Sequence, residues 1–204
     1  MSDGTETVWA VVLGAVLATV GGFTATRLEE ILRRRERERG AALLFGAILA
    51  ALEQITIFAE DSRGHGDPYG PVTLRLLRAA RRETEVYDRN RESLYDLRDG
   101  ALRARIHALM VRLTLALDGV FDATAALDLT LAAAGGLADT DPGKADALAR
   151  LDELLKHRQT AFDFAMETVA ETKPLMSVLQ PLAGQPLDAH AEVVRNPPAR
   201  SGEA

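Results

Sequence analysis

Residues 100–134 read GALRARIHALMVRLTLALDGVFDATAALDLTLAAA. Leu102, Ile106, Leu109, Leu113, Ala116, Val120, Ala123 and Leu127 recur in this stretch with a mean spacing near 3.5 residues. A strand would place every second residue on one face, so the spacing excludes a sheet element and predicts one long helix with a bundle or coiled-coil seam. Val111, Leu115 and Leu129 fall on the other side, and a helix apolar on two sides is expected at the centre of a bundle. Asp99 is placed to cap its start, and Gly135 and Gly136 to stop it.

The same pattern continues on both sides of this helix. After a connection over Leu137 to Gly143, a last helix is predicted from near Lys144. Its seam is Leu148, Leu151, Leu155, Phe162, Ala165, Val169, Met176 and Leu179, with a kink or end at Pro174. From Gly184 to the end no pattern is sustained, and residues 184–204 are expected to form a disordered tail. Towards the amino terminus, Asp88 to Asp99 reads as a helical corner with Tyr87, Leu94 and Leu97 folded inward. Val72 to Asp88 reads as a helix whose buried side is Leu76, Leu77, Ala80, Thr84 and Tyr87. Arg63 to Pro71 (RGHGDPYGP) is a loop by its Gly and Pro content. Ala41 to Ala59 carries Phe45, Ile48, Leu49, Leu52, Ile55 and Ala59 at helical spacing, and its uninterrupted apolar part, Ala41 to Leu52, is too short to span a bilayer. A core helix is expected there, against the rival of a second membrane pass.

Val8 to Thr26 (VWAVVLGAVLATVGGFTAT) is different: 19 residues without a charge. As a helix it measures roughly 28 Å, close to the ~30 Å of bilayer hydrocarbon. Only Asp3 and Glu6 precede it as charged residues, whereas Arg27, Arg33, Arg34, Arg35, Arg37 and Arg39 follow. That asymmetry predicts a short external amino terminus (1–7), one transmembrane helix (8–26), an Arg/Glu-rich juxtamembrane helix (27–40) whose arginines set topology and meet lipid headgroups, and a cytoplasmic bundle (41–183) at a bacterial inner membrane. Ala10, Gly14, Ala18 and Gly22 form a stripe of small residues on the span, a surface on which a second helix can approach closely. Glu29–Arg33 and Glu30–Arg34 are favourable i,i+4 pairs. The expected class is therefore all-α: one amino-terminal membrane helix followed by an antiparallel bundle of about four helices.

The chemistry suggested by the sequence is sparse. There is no cysteine, so thiolate catalysis and Cys-based zinc sites are excluded. Of the four histidines, His65 lies in the loop, His107 opposite the main seam, His157 one turn after Glu153, and His190 in the tail. No HExxH, paired ExxH, P-loop or GxSxG pattern occurs. His107, Asp118 and Asp122 are the one polar group on the long helix that could hold a metal or do acid–base work, and a solvated face is the simpler expectation. The net charge of −6, with acids interleaving the arginines, speaks against nucleic acid. No cofactor or small-molecule substrate is implied. The reading reached from sequence is a non-enzymatic, single-pass interaction or assembly subunit whose partners are membrane lipids and either further copies of itself or another membrane protein. The alternatives are a membrane sensor that signals through its long helices and a small metal-binding or hydrolytic bundle.

Overall fold

The computed structural model describes the backbone of residues 3–138 and 141–187, and side chains from Arg27 onward. The chain is 87% helical with no strand among the described residues, which makes it an all-α bundle. Its helices are α1 (Asp3–Arg63), α2 (Pro71–Arg89), α3 (Gly100–Gly135), α4 (Pro142–Ala170) and α5 (Thr172–Ala183); a 3-10 corner, Arg91–Asp96, joins α2 to α3. α1 packs on α2 and α5, and α3 packs on α4 along most of its length.

α1 runs unbroken through Gly40, which has no neighbour on its open side. The span, the Arg/Glu segment and the core helix expected from sequence are thus one rod. Ala41, Ala42, Phe45, Ile48, Leu49, Leu52 and Ala59 are buried against α2 and α5, as a core helix requires. Among the described residues one helical stretch near the amino terminus, Arg27–Arg63, is long and apolar enough to cross a membrane by length and composition, and half of its apolar window is buried inside the bundle. The side chains of Val8 to Thr26, including the Ala10, Gly14, Ala18 and Gly22 face, lie outside the described residues.

The corner folds as its composition dictates. Tyr87, Leu94 and Leu97 are buried. Asp99 then caps α3, its carboxylate accepting from the amides of Ala101 (2.8 Å) and Leu102 (3.2 Å), which satisfies two donors that the helix itself leaves free. Asp141 does the same for α4 through the amide of Gly143 (2.8 Å).

Two expectations are corrected and a third, the break caused by Pro174, is located. α3 is not central: Val111, Leu115 and Leu129 are exposed, as is Leu131. The reason is that its main packing is a close pairing with α4, where a Cβ on Gly119 would lie 3.3 Å from Ala161 Cβ, with lighter contact to α2. Two helices packed as a pair each bury a single stripe, and for the same reason Leu148 and Leu155 of α4 are exposed while Leu151, Phe162, Ala165 and Val169 are buried. The last helix breaks at Glu171, three residues before Pro174. The proline ring conflicts with the carbonyl four residues back, so α4 ends at Ala170 and Pro174 sits in the first turn of α5, where its missing N–H costs nothing. The segment after Gly184 begins in an ordered way. Gly184 takes φ +68° as the left-handed cap of α5, and Leu187 is buried, its Cδ atoms 2.6 Å from where a Cβ on Gly46 would stand. The rest of the expected tail, 188–204, lies outside the described residues.

Candidate functional site

The stretch of α1 that leads into the bundle carries the arginine run. Arg27, Arg33, Arg34, Arg35, Arg37 and Arg39 are all exposed. Arg33 pairs with Glu29 and Arg34 with Glu30, one turn back. Arg39 is committed inward: its Nε donates to the carbonyl of Ala183 (3.0 Å) and ties α1 to the end of α5. Glu38 receives both the Nε and the backbone N–H of Arg98, each at 3.2 Å, which fixes the 3-10 corner against α1. A shallow notch between them is lined by Arg34, Arg37, Tyr95, Asp96 and Arg98. Two of its three guanidinium groups are directly paired, Arg34 with Glu30 and Arg98 with Glu38, so the notch is not a strong anion trap. Between the charges, Leu28 (59% exposed), Ile31 (46%) and Leu32 (55%) form an exposed apolar face.

The polar group on α3 does not assemble. His107 stacks on Tyr87 (ring centroids 6.3 Å), with its Nδ1 2.8 Å from the Tyr87 hydroxyl, so it is a half-buried core partner rather than the surface residue expected. Asp118 accepts from Arg81 Nε at 2.7 Å, and this hydrogen bond holds the Arg81 guanidinium above its ordinary pKa. Eleven residues separate His107 from Asp118, about 16 Å along the helix. Asp122 lies a further turn away and is exposed. No group of three acidic or histidine side chains with metal-binding geometry occurs among the described residues. His65 turns back to the carbonyl of Asp61 (2.9 Å), and His157 is exposed on α4.

The most built polar arrangement lies at the opposite end, and sequence reasoning did not single it out. The RGHGDPYGP loop folds Tyr69 back onto α4. Asp67 shapes the turn, its carboxylate accepting the Tyr69 amide (3.0 Å) and its carbonyl the Gly70 amide (2.9 Å). Tyr69 meets Phe162 edge-to-face at 5.9 Å. Its hydroxyl donates to Gln159 Oε1 (2.8 Å), which also accepts from Arg63 Nη2 (2.8 Å). Arg63 lies 4.1 Å over the Phe162 ring, and Arg158 lies 3.9 Å over Tyr69. Burial raises the pKa of the Tyr69 phenol, and the two arginines partly oppose that shift. A cavity of about 530 Å³ opens beside this stack, walled by α2, α3 and α4, within the size range of small-molecule clefts. A tyrosine inside a Gly/Pro-rich loop was the only sequence signal available, because Arg158 looks like any other charge on a polar helix face.

Comparison with known protein families, with curated proteins and with solved structures finds no match to this chain.

Proposed function

We propose that this chain is a single-pass protein of the bacterial inner membrane, amino terminus outside, whose cytoplasmic bundle serves assembly and which pairs with a second copy of itself through α1. One observation carries the reading. α1 is a continuous helix from Asp3 to Arg63, and its exposed Leu28 and Leu32 stand 18 residues beyond Ala10 and Gly14 in the sequence. Eighteen residues are five full helical turns, so both pairs share one angular position on the rod. A small-residue face in the span would let two backbones approach, and the leucines would continue the same seam below the membrane. The arginines following the span, against Asp3 and Glu6 before it, support the orientation.

The absence of cysteine makes the test direct. Single Leu28→Cys and Leu32→Cys chains, oxidised in native membranes, should each give a disulfide-linked dimer. Glu30→Cys, about 160° round the helix, should stay monomeric. Monomer at all three positions, with no protein co-purifying after mild detergent extraction, would remove the assembly reading.

A second reading, a membrane sensor or signalling subunit, is favoured by the same unbroken rod, since a rigid helix carries a tilt or rotation of the span directly into the core around Phe45. Spin-label distances between α1 and α3 should then change with bilayer thickness. Distances that stay fixed across bilayers of different acyl-chain length would discard it.

A further inference from the structure

We infer that the cavity beside Tyr69 is a binding site for a small carboxylate with a short apolar tail, a ligand unrelated to the assembly role above. Arg158 is the central cation of the cavity lining. The centre of its guanidinium lies 3.9 Å from the centroid of the Tyr69 ring, and no carboxylate pairs with it among the described residues. A guanidinium held against an aromatic ring, with no acid of its own, keeps its outer N–H groups available for charge-assisted hydrogen bonds to a carboxylate. Arg78 of α2 lines the same cavity and is likewise without an acid partner among the described residues. The amino terminus of α2 also borders it at Gly70 and Pro71, with no side-chain cap and no acidic residue in its first turn, so the helix dipole adds positive potential.

Two acids line the cavity as well. Asp67 is occupied by the Tyr69 amide, and Asp128 lies on an exposed position of α3. The remaining walls are apolar: Leu74, Leu127, Leu131 and Leu155. Two cationic groups together with leucine walls suit a carboxylate carrying a hydrocarbon tail better than inorganic anions or neutral apolar molecules.

The test uses the full chain in phospholipid nanodiscs with hexanoate as probe, followed by ligand-observed NMR against empty nanodiscs. Saturable hexanoate binding is expected, with 1-hexanol at least about tenfold weaker, because it lacks the charge-assisted contacts. Arg158→Gln should weaken hexanoate by about tenfold or more, while Arg150→Gln on the exposed surface of the same helix should leave it unchanged. Since Arg158 also packs on Tyr69, a second variant guards against loss of fold: Leu155→Asp, at a 46% exposed position, retains the helix and sets a negative charge in the cavity. It should abolish binding with helix content intact. No signal above empty nanodiscs, equal binding of 1-hexanol, or unchanged hexanoate binding in folded Arg158→Gln and Leu155→Asp chains would overturn the assignment. None of these outcomes touches the α1 crosslinking result.

Discussion

Replacing Phe45 with alanine should lower the unfolding free energy of the bundle by about 3–5 kcal/mol, the range for truncating a fully buried aromatic. Phe45 has no exposed surface and its ring lies 6.0 Å from that of Tyr87 at a tilt of 59°. Such pairs contribute about 0.5–1.5 kcal/mol beyond the area they bury. The neighbourhood is poorly placed to relax into the void. Tyr87 is held at its far end by the 2.8 Å contact with His107, and Leu49 and Leu52 belong to the same α1 backbone. Guanidinium unfolding followed by helix content would measure the loss. Leu115→Ala, at a 65% exposed position of α3, is the matched control, and its effect should fall within about 0.5 kcal/mol of zero. A Phe45→Ala loss below about 1 kcal/mol would mean that the α1–α2 contact is not part of the cooperative core.

Reporter fusions after Arg39 and after Arg63 should both read as cytoplasmic, an all-or-none outcome. If Ala41 to Ala59 crossed the bilayer, the second fusion would read as external and every later helix would change sides. The packing argues for the first result. Ala41, Ala42, Phe45, Ile48, Leu49 and Leu52 spend their apolar surface on α2 and α5, leaving no continuous ring of side chains for lipid. Glu53 meets Lys173 at 3.2 Å, and Thr56 returns its hydroxyl to the Leu52 carbonyl at 2.7 Å, both in the middle of the stretch. Opening this helix to hydrocarbon would strip Phe45 and Leu49 of their partners and carry Glu53 into the membrane, a placement that costs several kcal/mol. A cytoplasmic reading at Arg39 with an external one at Arg63 would contradict the bundle as folded.

Local chemistry made much of this fold readable. The seam of α3, its Asp99 cap and the inward turn of Leu94 and Leu97 each follow from periodicity or from a donor that must be satisfied nearby. The candidate sites were far less legible. His107 and Asp118 share a helix, yet their partners, Tyr87 and Arg81, come from α2, and those contacts draw the two residues into separate structures. Tyr69 stands 90 residues from Gln159 and nearly as far from Arg158, and nothing local to Tyr69 or Arg158 announces the cavity they border.

The sequence by itself determined that the chain is all-α, where α2 and α3 lie, and that a charge-free run precedes a block of arginines, because propensity, capping and hydropathy act over one or two turns. Only the tertiary structure decided which apolar stripes were used. Leu102 and Val111 have similar claims to burial by composition, but the neighbouring helices cover the Leu102 stripe of α3 and leave Val111 43% exposed. The tertiary structure likewise left Arg158 stacked and without an acid, since whether a charge finds its counter-charge depends on which distant helix arrives beside it.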